Sequence, residues 1–170
     1  MTDLNITWSE YHHKIETLAV KVYRSNWQFD RIVCLAKGGL RVGDILCRLF
    51  DVPLAILSAA SYGGENNRDR GKIEFSNHLS YLEPLGSRIL LVDDLVDSGI
   101  SLVESVKWLQ ENYGDRVTDI RTAVIWYKSS SVIAPDYYVD YLENNPWIVQ
   151  PFEKYENTTI TEFPREFCKD

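Results

Sequence analysis

The segment Arg88–Leu102, RILLVDDLVDSGISL, contains three closely spaced carboxylates, Asp93, Asp94 and Asp97, directly before a turn of small polar residues. Carboxylates this close repel one another, so a purely structural role explains them poorly. The turn Ser98–Ser101 leads into a helix, where consecutive backbone N–H groups at the positive end of the dipole form a cradle for a phosphate. A ligand that suits both features has a phosphate together with hydroxyls, a metal ion or developing positive charge. A phosphorylated sugar meets that description.

The elements that position these residues alternate between strands and helices. Capping-box spacing in TWSE and apolar residues at helical intervals predict a first helix over residues about 7 to 25. The apolar runs RIVCLA, LAILSA, RILLV and RTAVIWY predict four strands. A helical period follows the first strand in LRVGDILCRLF, and another follows the third strand up to Gly114. This order predicts an α/β fold with a doubly wound, mostly parallel sheet, whose ligand sites lie at the carboxyl ends of the strands.

Length and charge limit the kinds of protein that this chain can be. With 170 residues it is most simply one domain, and 18 basic against 25 acidic residues give a net charge of −7. That charge argues against nucleic acid or an anionic membrane surface as the main partner. The three cysteines form no C-x-x-C pair, and no apolar window is long enough for a membrane span. We therefore expect a cytoplasmic protein with reduced thiols that binds no nucleic acid.

Two further regions contain candidate functional residues. The polar, glycine-rich segment 61–77 has no clean period and predicts a flexible lid. In the tail, Lys128 comes just after the fourth strand and Trp147 lies among short alternating runs. A solvated strand-end lysine and a packed tryptophan are the structural alternatives to a binding role for these two residues. Residues 154–170 show no pattern that indicates a function.

The stretch ILLVDDLVDSGISL resembles the phosphoribosyl-pyrophosphate (PRPP) signature of type I phosphoribosyltransferases, and the parts around it are similar to the xanthine-guanine and hypoxanthine-guanine branch. The likeness covers residues 33–153. It implies transfer of the 5-phosphoribosyl group from PRPP to hypoxanthine, guanine or xanthine in purine salvage, with release of pyrophosphate and formation of the nucleoside 5′-monophosphate. It also implies Mg²⁺ as cofactor, a homo-oligomer (dimer or tetramer), and a single domain over residues 1–170, with a catalytic loop at 61–77 and a small C-terminal hood at 128–153.

The resemblance also implies roles for individual residues. Asp97 would be the catalytic acid/base group facing N7 of the purine, and Asp93 and Asp94 would bind the ribose diol and Mg²⁺. The predicted site residues are Asp93, Asp94, Ser98, Gly99, Ile100 and Ser101 for PRPP, Lys37, Gly38, Gly39 and Arg68 for pyrophosphate, Lys128, Trp147 and Ile148 for the purine, and Asp94 and Glu153 for the metal. In this family the loop at Lys37 often contains a non-proline cis peptide. Ser98 stands where threonine is usual and keeps the hydroxyl, and Lys37 stands where arginine is frequent and keeps the charge.

The implied reaction suits these residue types. Displacement of pyrophosphate at C1′ develops oxocarbenium character on the ribose, which carboxylates beneath the ring would stabilise. Lys37 and Arg68, together with Mg²⁺, would neutralise the departing pyrophosphate. Closure of the segment 61–77 would exclude water, since hydrolysis of PRPP is the competing reaction.

Two other classes of protein remain open on the sequence. One is a non-catalytic PRPP- or nucleotide-sensing regulatory protein of the same fold, although such a protein usually has a basic face for nucleic acid, which a charge of −7 does not favour. The other is a phosphoacceptor receiver domain, because ILLVDD also resembles its first strand. A receiver domain places that strand at its beginning, whereas here it begins at Arg88.

Overall fold

The computed structural model of the protein describes residues 3–61, 73–156 and 158–161. Its elements, in chain order, are β1 (Leu4–Asn5), α1 (Trp8–Arg24), β2 (Arg31–Ala36), α2 (Gly39–Phe50), β3 (Leu54–Ser61), β4 (Ile73–Phe75), β5 (Arg88–Val96), α3 (Ile100–Tyr113), β6 (Asp119–Lys128), β7 (Tyr137–Leu142), β8 (Ile148–Val149) and a 3₁₀ turn, Glu153–Tyr155. They form two compact units. Ile15–Asn145 is the larger, and the described residues of Met1–Lys14 and Pro146–Asp170 make up the smaller.

The larger unit is built on a six-stranded sheet in the order β4-β3-β2-β5-β6-β7. Every neighbouring pair in it is parallel except β3 with β4. This confirms the predicted α/β fold with a mostly parallel, doubly wound sheet. The chain moves from β2 to β3 in one direction and from β5 to β6 in the other, so the strand order reverses between β2 and β5. Open α/β sheets bind ligands outside the carboxyl ends of the strands at such a switch point.

Helices cover both faces of this sheet, because strand residues alternate between them. On one face, Leu102 and Leu109 of α3 belong to the same core cluster as Leu91 of β5. On the other face α2 lies so close to β2 that a Cβ added to Gly43 would be 2.7 Å from Cβ of Cys34. Burial raises the pKa of the Cys34 thiol to about 12, so this cysteine is a neutral core residue. Neither Cys34 nor Cys47 forms a disulfide in the part of the chain that the structure describes.

Local sequence signals set the helix boundaries. The N–H of Thr7 donates to Glu10 Oε2 at 2.8 Å, and the N–H of Glu10 donates to Thr7 Oγ1 at 3.2 Å, which is the predicted capping box. The bonds from Thr7 lower the pKa of the Glu10 carboxyl. At the end of α3, the N–H of Gly114 donates to the carbonyl of Gln110, as expected for the residue that ends this helix.

One strand is longer than the sequence predicts. β5 does not stop before the acidic residues but continues through Asp93 and Asp94 to Val96. It remains paired with β6 as far as Val96 and Tyr127, and this ladder holds the acidic residues in an extended conformation. The predicted strand RILLV therefore ends too early, because Asp93 and Asp94 are strand residues.

The predicted lid 61–77 also differs from the structure at its described end. Residues Ile73–Phe75 form β4, which pairs antiparallel with the last three residues of β3. The loop prediction is therefore wrong for β4. Residues 62–72, which include Arg68, lie outside the described residues.

The smaller unit contains a parallel pair of short strands, β1 and β8, with Leu4 beside Ile148. The N–H of Leu4 donates to the carbonyl of Trp147 at 2.8 Å. The rings of Tyr11 and Phe152 pack edge to face in this unit, with centroids 5.6 Å apart. In neither unit is a described helix both long enough and apolar enough to cross a membrane.

Candidate active site

Three carboxylates lie at the carboxyl end of β5, next to the switch point of the sheet. Asp93 and Asp94 belong to the strand, and Asp97 follows its last residue. These residues line a cavity of about 170 Å³ together with Ser98, Gly99 and Ser101 of the following turn. Ile100, the remaining residue of that turn, does not line it. The structure thus brings together the residues for which the sequence predicts PRPP binding and acid/base chemistry.

The Asp93 and Asp94 carboxyls lie close together, and each charge disfavours ionisation of the other. Asp94 is buried, and Asp93 is partly accessible at the base of the cavity. The N–H of Asp94 donates to Asp93 Oδ1 at 2.9 Å. Partial loss of water around the carboxyl at the strand end, together with the adjacent Asp94 carboxyl, raises the pKa of Asp93 well above its ordinary value. A bound cation, or hydroxyl groups that donate to both carboxylates, would stabilise their charged forms.

The loop Lys37–Gly39 lies against this acidic pair. A Cβ on Gly38 would be 2.4 Å from Asp94 Oδ1 and 3.0 Å from Asp93 Oδ1, so a side chain at this position has no space. A Cβ on Gly39 would be 2.6 Å from the carbonyl oxygen of Val92. The Ala36–Lys37 peptide bond is cis, as the family resemblance implies, and Lys37 is exposed. Gly38 and Gly39 at the start of α2 therefore lie directly beside the acidic pair, and Lys37 precedes them in the chain.

The turn Ser98–Ser101 forms the start of α3. Gly99 precedes the helix with a φ of 79°, a left-handed conformation that favours glycine. A Cβ there would also lie 2.3 Å from Ser131 Oγ. The first N–H groups of a helix have no partner inside the helix and attract anions. The Ser101 side chain is exposed beside them, so the turn offers several donors to one anion.

Asp97 forms an ion pair with the last residue of β6. Lys128 Nζ lies 3.2 Å from Asp97 Oδ2, and the side chains are 6% and 59% exposed, respectively. The alternative interpretation of Lys128 as a solvated strand-end lysine is therefore wrong, because its ammonium group is buried and paired. A partly exposed carboxylate and a buried ammonium group thus lie next to the turn Ser98–Ser101, whose N–H groups can bind a phosphate.

One residue at this site was not predicted from the sequence. Ser130 Oγ lies 3.0 Å from Asp97 Oδ1 and 3.2 Å from the main-chain oxygen of Asp97. The run of three serines after Lys128 was the available signal, but serines after a strand are equally typical of a solvated turn.

Three predicted site residues belong to the smaller unit. Trp147 is 59% exposed, and its indole N–H donates to Glu153 Oε1 at 3.0 Å. Ile148 is buried in β8. The exposed ring makes Trp147 available for stacking, whereas the metal role of Glu153 stays a prediction. The fourth pyrophosphate candidate, Arg68, lies outside the described residues.

Comparison with known proteins decides the family. A model described as phosphoribosyl transferase domain matches residues 7–157, which is most of the chain. The chain belongs to this family. The sheet order, the glycine loop after β2 and the acidic strand end of β5 all fall within the matched residues.

Curated relatives lie in the purine branch of the family. The chain is 26% identical over 153 residues to a xanthine-guanine phosphoribosyltransferase of Gluconobacter oxydans, covering 87% of this chain and 83% of that protein. It is 28% identical over 120 residues to a hypoxanthine/guanine phosphoribosyltransferase of Methanopyrus kandleri, and the match covers 65% of this chain and 61% of that protein. The matched region thus spans less than two thirds of the Methanopyrus protein. The resemblance to the purine branch of type I phosphoribosyltransferases is confirmed.

Solved structures of the family superpose on most of the chain. A purine phosphoribosyltransferase from Pyrococcus horikoshii has a TM-score of 0.72 at 25% identity, covering 89% of this chain and 94% of that chain. A xanthine-guanine-hypoxanthine phosphoribosyltransferase from Helicobacter pylori has a TM-score of 0.73 at 23% identity, covering 92% and 97%. The second likeness concerns the fold alone.

The carboxylates suit one kind of metal binding. Among residues 3–61, 73–156 and 158–161, no group of three or more His, Cys, Asp or Glu side chains is arranged to hold an ion. Mg²⁺ commonly binds through one or two carboxylates and takes its other ligands from water and substrate phosphates. Asp93 and Asp94 offer adjacent oxygens beside the glycine loop, so the donor set fits a metal that arrives with a polyphosphate substrate.

Proposed function

We propose that this chain transfers the 5-phosphoribosyl group of PRPP to a 6-oxopurine, releasing pyrophosphate and forming a nucleoside 5′-monophosphate. The observation that supports this most is the pair of Asp97 and Lys128, 3.2 Å apart at the edge of the cavity that adjoins the start of α3. A carboxylate and an ammonium side by side offer one acceptor and one donor to the edge of a base. The adjacent helix start offers a place for a phosphate on the same substrate.

A 6-oxopurine matches this pair. O6 and N7 lie next to each other on one edge of the base. The Lys128 ammonium would donate to O6, and Asp97 would accept the proton of N7 while N9 attacks C1′. Guanine, hypoxanthine and xanthine all have the 6-oxo group, so this pair selects the class of base and leaves the group at C2 to other contacts.

The ribose, pyrophosphate and 5′-phosphate have candidate partners in the same cleft. Asp93 and Asp94 would bind the ribose hydroxyls and stabilise the positive charge that develops on the ring. The ammonium of Lys37 and the N–H groups of Gly38 and Gly39 would hold the pyrophosphate as the bond to C1′ breaks. Bound at Asp94, Mg²⁺ would supply neutralisation of the pyrophosphate charge.

Some roles rest on the family resemblance. Arg68 is proposed for pyrophosphate, Trp147 and Ile148 for stacking and reading the purine, and Glu153 for the metal. A homo-oligomer and a cytoplasmic location are proposed on the same basis. The alternative, a non-catalytic sensor of PRPP or nucleotides, is not favoured, since both curated relatives are named as phosphoribosyltransferases.

Pyrophosphate release tests the proposal. The full chain is incubated with PRPP, Mg²⁺ and one base at a time: guanine, hypoxanthine, xanthine or adenine. We expect release that depends on a 6-oxopurine and is far slower with adenine. Release that is equally fast without any base would indicate PRPP hydrolysis, and release with adenine as the preferred base would contradict the assignment of Lys128.

A further inference from the structure

The turn after β6, which we call the serine turn (Ser129–Ser131), is fixed at both ends. Ser129 Oγ lies 2.8 Å from the carbonyl oxygen of Glu143 and 3.1 Å from Asn145 Oδ1, and its one proton can be donated to either acceptor. The N–H of Ser130 donates to the same Asn145 oxygen at 3.2 Å. Asn145 itself has a φ of 48°, so this contact involves a residue in the left-handed region. The side of the turn towards β7 is therefore held by the Ser129 hydroxyl and by the N–H groups of Ser129 and Ser130, the first of which donates to the carbonyl of Leu142 at 3.1 Å.

The other side of the serine turn contacts the start of α3. The N–H of Val132 donates to the carbonyl of Ser98 at 2.9 Å. Ser131 Oγ donates to the carbonyl of Ile133 at 2.7 Å and occupies the space that a Cβ on Gly99 would need. The serine turn and the Ser98–Ser101 turn are thus packed together, and the hydroxyls of Ser129 and Ser131 are used to build the turn itself.

Ser130 differs from its two neighbours because its hydroxyl points to Asp97. The two Asp97 carboxylate oxygens have different partners: Oδ2 faces the Lys128 ammonium at 3.2 Å, and Oδ1 faces Ser130 Oγ at 3.0 Å. The Asp97 side chain is 59% exposed, so within the described part of the chain these two partners are the contacts that orient its carboxylate.

Entry of a base changes one of these two contacts. If Lys128 donates to O6, its bond to Asp97 weakens at the moment when Asp97 must receive the proton of N7. Ser130 is not needed by the base, so its bond to Oδ1 can persist and keep Oδ2 aimed at the substrate.

We propose that Ser130 is a positioning residue that holds the Asp97 carboxylate in its reactive orientation while Lys128 binds the purine; this inference rests on the proposed function. During the step the N9–C1′ bond forms, the bond from C1′ to the pyrophosphate oxygen breaks with its electron pair, and the N7 proton passes to Asp97. The single hydroxyl proton of Ser130 can then turn to the main-chain oxygen of Asp97, 3.2 Å away, without movement of the turn.

Three substitutions test this role. Ser130→Ala removes the bond to Asp97, Ser130→Thr keeps the hydroxyl at an exposed position with space for a methyl group, and Ser129→Ala is the matched control. We expect Ser130→Ala to lower kcat about 10-fold and to leave KM for PRPP and the unfolding midpoint little changed. The substitution removes the hydrogen bond to the charged Asp97 carboxylate, which affects only the step in which Asp97 takes part. Ser130→Thr should restore kcat. Ser129→Ala should stay within about 2-fold of the wild type, because the N–H groups of Ser130 and Val132 still donate to Asn145 and Ser98 and hold the turn in place.

A double-mutant cycle shows whether Ser130 acts through Asp97. In the Asp97→Asn background, Ser130→Ala should cost less than about 2-fold more, since the group that it positions is already absent. Losses that multiply, an unchanged kcat in Ser130→Ala, or an equal loss in Ser129→Ala would each overturn the inference. If the wild type forms no nucleotide with any base, the proposed function fails and this inference fails with it. Wild-type turnover with an unaffected Ser130→Ala enzyme refutes the inference alone.

Discussion

Replacement of Lys128 by glutamine is the sharpest test of base selection. The Lys128 ammonium is buried, with 6% of the side chain exposed, and its partner Asp97 is 59% exposed. A 6-oxopurine gives the ammonium an acceptor when the base closes over it. Adenine presents an amino donor instead, which leaves a desolvated charge without an acceptor on the base.

The size of the effect follows from that difference. A buried charged donor that finds no acceptor on the base costs about 1 to 3 kcal/mol or more, which corresponds to roughly 5- to 150-fold in kcat/KM. Glutamine has no charge and can present either a donor or an acceptor. We therefore expect Lys128→Gln to lower kcat/KM for guanine and to reduce the guanine-to-adenine ratio by about 5-fold or more.

The assay compares kcat/KM for guanine and adenine in both enzymes under saturating PRPP. Lys128→Arg is the control, because it retains the charge and should keep the preference for 6-oxopurines even if the larger guanidinium lowers the rate. A ratio that is the same in wild type and Lys128→Gln would refute this account of Lys128, as would a wild-type preference for adenine.

Three other outcomes follow from the site. Asp97→Asn should leave PRPP binding largely intact but slow the chemical step by about 10²-fold or more, as measured by single-turnover kinetics and PRPP calorimetry, and unchanged turnover at saturation would remove Asp97 from the acid/base role. Activity should require Mg²⁺ or Mn²⁺, since Asp93 and Asp94 adjoin a site for a polyphosphate, and full activity in excess chelator would rule out that requirement. Gly39→Ala should destabilise the fold by about 1 to 3 kcal/mol in chemical denaturation, because its Cβ would meet the carbonyl of Val92 at 2.6 Å and push α2 from β5. A variant as stable as the wild type would show that this contact relaxes freely.

The sequence was sufficient for the three helices and for four of the six strands of the large sheet, β2, β3, β5 and β6, whereas β4 and β7 were not predicted. Apolar runs and the Thr7–Glu10 capping box predicted elements whose bounds the structure reproduces closely. Periodicity could not find β1 and β8, since strands of two residues contain too few positions for a pattern. The sequence-based prediction also ended β5 too early, because Asp93 and Asp94 are polar and interrupt the apolar run. In the structure, pairing with β6 determines their extended conformation.

The sequence predicted the part of the site that is local in the chain and missed the contacts that depend on strand pairing. Local spacing brought Asp93, Asp94 and Asp97 to one strand end, since neighbours in sequence stay neighbours there. The contact of Asp97 with Lys128 and Ser130 joins residues more than thirty positions apart, so it depends on β5 and β6 being adjacent and parallel. Sequence patterns gave no means to distinguish Ser130 from Ser129.

Formation of labelled nucleotide tests the central claim most directly. The full chain is incubated with radiolabelled guanine, hypoxanthine or xanthine, together with Mg²⁺ and either PRPP or ribose 5-phosphate, and base is separated from nucleotide. We predict that the label of at least one 6-oxopurine moves into the nucleoside 5′-monophosphate with PRPP and not with ribose 5-phosphate. PRPP that binds the chain while every label stays in the free base would contradict the account and indicate a non-catalytic sensor.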